Sequence, residues 1–140
     1  MDYQKIDGGY LVRLYRGERV NESLLEFVKT EGIPGGIIQG IGALTEVIIG
    51  YFDTAGKEYL KKQLDDIYEV ISFSGNISYI NGEPFIHAHI LLGSRQFAAS
   101  AGHFFEGTVA VTMEIFITTF SQKIERAMDR EFGLNMLKLS

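Results

Sequence analysis

The stretch Gly36-Ile37-Ile38-Gln39-Gly40-Ile41-Gly42-Ala43-Leu44, running on into Val47-Ile48-Ile49-Gly50-Tyr51-Phe52, decides the fold class. Its β-branched and aromatic residues favour extended backbone. Glycines 35, 36, 40 and 42 leave four positions in eight without a side chain. In a strand this points to bulges, bends or close backbone approach. Gly40-Ile41-Gly42 could also open a dinucleotide-binding fingerprint. However, Thr45 stands where the third glycine is needed, and the segment continues as strand instead of starting a helix, so that reading is set aside.

The same pattern extends in both directions. Tyr10-Leu11-Val12-Arg13-Leu14-Tyr15, bounded by Gly8-Gly9 and Gly17, reads as a first strand. A helix follows: Asn21 can accept from the free amides of the first turn and Glu22 complements the positive end of the dipole. Leu24, Leu25 and Val28 share a face, and Gly32 supplies the left-handed stop. Thr54-Ala55-Gly56-Lys57 is a turn, and Lys57 to Leu64 a short strand with charged edges. Tyr68 to Ile80 and Pro84 to Leu92 flank Asn81-Gly82, a pair that takes the positive φ angles of a tight hairpin, with Glu83 and Pro84 available to lengthen the loop. Val109 to Phe120 alternates Val109, Val111, Met113, Ile115 and Ile117 against Ala110, Thr112, Glu114, Phe116 and Thr118 as the last long strand. In Ser121 to Ser140, Ile124, Met128 and Phe132 fall at helical spacing, but Gly133 and Asn135 break the pattern; a short helix or coil followed by an edge strand is expected. The residues thus predict a mixed α and β domain with one main helix.

At 140 residues, 46% apolar and 22% charged, the chain has the size and composition of a single globular domain, residues 1–140. The start, Met1-Asp2-Tyr3-Gln4-Lys5, lacks the basic and apolar regions of a secretory signal, and no uncharged run reaches membrane-spanning length, which predicts a cytoplasmic location. The absence of cysteine removes disulfides and thiolate ligands, so a metal site must use imidazole and carboxylate. The net charge of −5 disfavours a polyanionic partner unless basic residues gather on one face. Arg13, Arg16 and Arg19, Lys61-Lys62, and Lys123, Arg126 and Arg130 are interleaved with acids and read as solvated surface charge.

The most specific chemical feature is a set of histidines. His87 and His89, at i and i+2 on a strand, leave the same face about 6.6–6.8 Å apart. His103 lies in Ala101-Gly102-His103-Phe104, where the glycine lets the backbone bend and aim a side chain back across the sheet. Each alone reads as an ordinary hydrogen-bonded polar residue. Together, two of them on a segment otherwise built of Phe85, Ile86, Ile90, Leu91 and Leu92, they read as ligands of a divalent metal, zinc first. Three neutral imidazoles bind Zn²⁺ at about 2.0–2.1 Å and leave a fourth position for water or a substrate oxygen. Glu83, Glu106 and Glu114 are the carboxylates that could complete the shell or act as a base, though surface or cross-strand pairing is the plainer role for each.

Gln39-Gly40-Ile41-Gly42-Ala43-Leu44, Tyr68-Glu69-Val70-Ile71-Ser72-Phe73-Ser74-Gly75-Asn76, His87-Ala88-His89-Ile90 and Gly102-His103-Phe104-Phe105-Glu106-Gly107, with Val109 and Thr112-Met113-Glu114, resemble the PPC domain of plants and prokaryotes. The tail, Arg126 to Leu134 with Asp129 and Gly133, looks like that family's closing segment. In plants the domain sits beside AT-hook motifs in nuclear regulatory proteins and mediates self-association; prokaryotic members are usually the bare domain. The resemblance implies an α+β fold built on an antiparallel, barrel-like sheet with one main helix, and a homotrimer. The sequence departs from the DNA-binding description, since it has no Arg-Gly-Arg-Pro core for the minor groove and its charge is negative. A more distant resemblance is to acetolactate decarboxylase, which holds zinc with a His-X-His on a strand and a third histidine further on; the gap from His89 to His103 is longer here.

Two function classes follow. One is a homotrimeric metal-binding module with a regulatory or DNA-associated role. The other is a metal-dependent lyase or hydrolase acting on a small oxygenated molecule, which would need an open metal position, a pocket, and a carboxylate or Arg95 to orient the ligand. DNA as a partner is disfavoured by the charge.

Overall fold

The structure is a computed structural model and describes residues 1–139. Nine strands and one helix run in the order β1 (Asp2–Ile6), β2 (Gly9–Tyr15), α1 (Val20–Glu31), β3 (Gly36–Asp53), β4 (Glu58–Leu64), β5 (Tyr68–Ile80), β6 (Glu83–Gly93), β7 (Ala99–Thr119), β8 (Arg126–Met128) and β9 (Asn135–Leu137). All strand pairings among them are antiparallel, and the sheet order is β1-β2-β7-β6-β5-β3-β4. β3 also pairs with β7, which closes β3, β5, β6 and β7 into a barrel. The α+β class with an antiparallel, barrel-like core and a single main helix is therefore the observed architecture. Among the described residues no helix is long and apolar enough to cross a membrane.

The core follows from the two-residue period of the strands. β6 turns Ile86, Ala88, Ile90 and Leu92 inward, and Phe73 and Ile77 of β5 and Met113, Ile115 and Ile117 of β7 meet them. α1 packs on β6 and β7 and adds Val20, Leu24, Phe27 and Val28 to the same cluster. Gly32 ends the helix in the left-handed conformation, φ 63°, and donates its N–H to the Val28 carbonyl. The expected cap is different. The helix begins at Val20, one residue before Asn21, and the preceding residue, Arg19, makes no side-chain cap. Glu106 of β7 takes that place: its carboxylate accepts from the amides of Asn21 at 2.8 Å and Glu22 at 3.2 Å.

Asn81 and Gly82 have φ of 51° and 88°, and Ile80 pairs directly with Glu83, so the hairpin loop is the two-residue form that Glu83 and Pro84 do not lengthen. The glycine-rich part of β3 lies between β5 and β7. A Cβ on Gly42 would stand 2.2 Å from the Thr112 carbonyl oxygen, so the glycine is there for backbone approach. The β5 register slips by one residue at Ile71 against both neighbours, a bulge that leaves Ile71 exposed. The alternation read for β7 holds from Met113 to Ile117 but fails at Val111. Two β3 steps, Gly42 to Leu44, oppose four β7 steps, Met113 to Val109, and this irregularity turns Val111 outward. Four boundaries differ from expectation. β7 begins at Ala99, ten residues earlier than Val109; β1 is an additional edge strand; β8 and β9 form a small hairpin; and no helix forms around Ile124, Met128 and Phe132.

Candidate metal centre

The outer face of β6 carries His87 and His89, because the inner positions alternate with them. His103 lies within β7, directly opposite His89 in the ladder. Gly102 therefore does not bend the chain. Its role is closeness: a Cβ there would stand 2.7 Å from the carbonyl oxygen of Gly50 on β3, the strand that pairs with this part of β7. The three rings converge with centroid separations of 5.3 Å (His87 to His89), 5.1 Å (His87 to His103) and 5.6 Å (His89 to His103). One nitrogen from each lies within 4.8 Å of the others, a spacing that one ion can bridge.

The environment disfavours the charged form of two of these rings. Burial lowers the His103 pKa to about 4, reinforced by His87, His89, Lys61 and Arg126. Burial also lowers that of His87, with Arg126 and His89 adding to it. Neutral imidazoles keep a lone pair for a ligand bond. The Nδ1 of His103 is buried and has no hydrogen-bond partner among the described residues. A buried polar atom without a partner is costly and calls for one. The donor set, its spacing and this orphaned nitrogen fit a divalent ion held by His87, His89 and His103.

A cavity of about 440 Å³ opens beside His87 and His103. Its walls include Tyr59 of β4, Phe85 of β6, Phe105 of β7, and Leu134 and Met136 of the tail. Arg126, the first residue of β8, reaches into it. Its Nε donates to Ser78 Oγ at 2.7 Å, one terminal nitrogen to the Asn135 carbonyl at 2.9 Å, and the other to Asn76 Oδ1 at 2.9 Å. That last nitrogen also stands 3.3 Å from His87 Nδ1. Lys61 Nζ lies over the Phe105 ring at 4.1 Å.

The carboxylates named from sequence lie elsewhere. Glu106 caps α1, Glu83 pairs with Lys29 at 3.6 Å, and Glu114 is exposed on the outer face of β7 near Ile41 and Ile71. Arg95 sits in the exposed turn before β7, so the arginine beside the histidines is Arg126. From sequence Arg126 reads only as surface charge and as part of the closing segment, and Tyr59 is not singled out; a tail folding back and a cross-sheet neighbour bring them to the site.

The profile of the Plants and Prokaryotes Conserved (PCC) domain, the same family as the PPC domain above, matches residues 1–121. The chain belongs to the PCC family. The structure of a PPC protein from Pyrococcus horikoshii is 38% identical, with 99% of this chain and 94% of that one covered and a TM-score of 0.88. A candidate DNA-binding protein from Bacteroides thetaiotaomicron is 31% identical, covers 98% and 96%, and has a TM-score of 0.95. A metal-containing protein from Archaeoglobus fulgidus is 34% identical over 99% and 96%, with a TM-score of 0.86. Acetolactate decarboxylase of Bacillus subtilis shares the fold alone, at 13% identity and a TM-score of 0.60, and this PCC chain covers 57% of its length. No curated protein matches the chain in sequence.

Proposed function

We propose that this PCC protein is a homotrimeric metal-binding module that holds one divalent ion, zinc in the simplest case, on His87, His89 and His103. The observation that carries the reading is the convergence of three imidazole nitrogens within 4.8 Å, one of the rings having its Nδ1 buried and unpartnered. The Archaeoglobus fulgidus relative, described as metal-containing, supports it. Such an ion would polarise a bound oxygen. The chain's own residues fix the rings by strand register and bound the space beside them with aromatic walls.

The trimer is supported by an apolar outer surface. Ile41, Ile71, Val111 and Phe116 are each more than half exposed and surround Glu114 on β3, β5 and β7. Exposed apolar patches of this kind mark contact surfaces, and further copies of the chain are the occupants we assign. The second reading, a metal-dependent enzyme acting on a small oxygenated molecule, is favoured by the cavity beside His87 and His103. Its size suits a small molecule. The DNA-binding description attached to the Bacteroides thetaiotaomicron relative carries less weight here, because 18 acids outnumber 13 basic residues.

Elemental analysis of the purified protein tests the metal reading, with about one ion per chain expected and its loss when all three histidines are changed to alanine. Metal content unchanged by that triple substitution refutes it. Light scattering at micromolar concentration tests the trimer, and a monomer mass refutes that part.

A further inference from the structure

Arg126 carries a full positive charge into the cavity without an acid to balance it. Its hydrogen-bond acceptors, Ser78 Oγ, the Asn135 carbonyl, Asn76 Oδ1 and His87 Nδ1, are all neutral. No carboxylate pairs with it, and none lines the cavity, among the described residues. Arg126 is partly buried, and the further a charge is withdrawn from water the more a paired acid offsets the cost. The chain as a whole has a surplus of acids, at −5, so this positive pocket is a local construction and not a consequence of composition. Lys61 adds a second cation beside the same wall, above Phe105.

The contact with His87 adds a second argument. A guanidinium only donates, so a hydrogen bond to His87 Nδ1 requires a lone pair there, with the ring proton on Nε2. A metal bound through Nδ1 takes that lone pair from Arg126. A metal bound through Nε2 moves the proton to Nδ1, which then opposes the arginine donor to donor. Either way, an ion on His87 would compete with the Arg126 contact and leave the guanidinium available to another acceptor in the cavity. The planar guanidinium suits a carboxylate better than it suits a water. The apolar walls, Phe85, Phe105, Leu134 and Met136, suit an aliphatic body.

We propose that Arg126 is the anchor for the carboxylate of a small organic acid that places an oxygen on the ion at His87, His89 and His103. The proposal rests on the metal reading above and adds the class of ligand. The cavity volume of about 440 Å³ suits a compact acid with a short aliphatic body.

Cobalt(II)-loaded protein provides the test, because its visible absorption reports both metal uptake and a change in the fourth ligand. The probes are 2-hydroxy-2-methylpropanoate and its neutral amide, titrated separately. The acid is expected to shift the bands with an affinity at least about tenfold tighter than the amide, the scale of one or two charge-assisted hydrogen bonds. In Arg126→Gln cobalt still binds and the acid falls to the level of the amide; Arg126→Lys, which keeps the charge and loses the fork, falls between. Equal affinities of acid and amide for the unmodified protein overturn the proposal, and so do bands that neither probe shifts; this comparison needs no variant to fold. Undiminished acid affinity in a folded Arg126→Gln overturns it too. Failure of the unmodified protein to take up cobalt overturns the metal reading and the proposal with it, whereas cobalt uptake without preference for the acid overturns the proposal alone.

Discussion

Changing Glu106 separates a helix cap from a metal-site carboxylate, the two roles open to it. One carboxylate oxygen accepts from the Asn21 amide at 2.8 Å and from the Gly107 amide at 2.9 Å; the other accepts from the Glu22 amide at 3.2 Å. Arg19 Nε stands 3.7 Å away, and the Glu106 side chain is 13% exposed. Glu106→Ala therefore leaves two first-turn amides of α1 without an acceptor and removes a negative charge from the positive end of the dipole. A lost cap costs about 0.5–2 kcal/mol, and the half-buried Asn21 amide places this case at the upper end, about 2 kcal/mol. For a domain of this size that corresponds to a fall in Tm of roughly 6–8 °C. Glu106→Gln keeps one carbonyl acceptor and loses the charge, so about half the effect is expected. The assay is thermal denaturation at fixed protein concentration, paired with metal analysis of each variant. Metal content should stay at the unmodified level in both. Unchanged stability, or a loss of metal from the folded variants, refutes the cap assignment.

Three further outcomes follow from the structure. Gly102→Ala pushes a Cβ to 2.7 Å from the Gly50 carbonyl, an overpacking that costs about 1–3 kcal/mol and displaces His103; denaturation midpoints and metal affinity should fall together, and a variant with both unchanged contradicts the close-approach account. Because the folded His103 pKa is lowered to about 4 while the unfolded chain titrates at its ordinary value, metal-free protein keeps this contribution above about pH 6.5 and loses it as pH falls toward 4, where the unfolded chain holds a proton that the folded one refuses. Screening at a half-buried ring reduces the loss to about 2 kcal/mol, measurable as the difference in urea midpoint slope between the unmodified protein and His103→Gln; identical pH profiles argue against it. Duplex DNA should bind no more tightly than about 10⁻⁴–10⁻⁶ M near 150 mM salt, and nanomolar binding that weakens steeply with salt in an anisotropy titration overturns this.

Much of the barrel was legible because its signals are local. Tyr68 to Ile80 reads as a strand from composition alone and is one from end to end, and Asn81-Gly82 announces its own turn. The His-X-His spacing fixes a shared face whatever the strand's neighbours are. Most of what was not legible depended on distant partners. β1, Asp2–Ile6, is exposed throughout and lacks apolar alternation; it is held by pairing with β2 and by Tyr3 against the Phe27 ring at 4.8 Å. The cap of α1 comes from a residue 85 positions away, which no scan of the helix's flanks reveals. In the tail, Ile124, Met128 and Phe132 have helical spacing, but the Asp129 carboxylate accepts from the amides of Glu131 and Phe132 and turns the chain into a hairpin instead. That turn returns Asn135 to Arg126, so the hairpin formed in place of a helix also brings Arg126 to the site.

The separation of core and site across a single strand also limits what the histidines can contribute to folding. On β6 the inward side chains at 86, 88, 90 and 92 carry the burial, while His87 and His89 face outward and His89 is exposed. Replacing the outward pair removes little apolar area from the core. The metal site can therefore be tested by substitution without dismantling the barrel. Arg126 is placed differently: three of its hydrogen bonds join β8 to β5 and to the start of β9, and only the fourth contact reaches the histidines. It ties the tail to the barrel and at the same time places its charge beside the ligand nitrogens. A ligand that recruits the guanidinium would consequently also bear on the tail hairpin, which forms one wall of the cavity through Leu134 and Met136. Occupancy of the cavity and order in the tail should rise together, and hydrogen exchange at the amides of residues 126 to 137 is where that coupling would register.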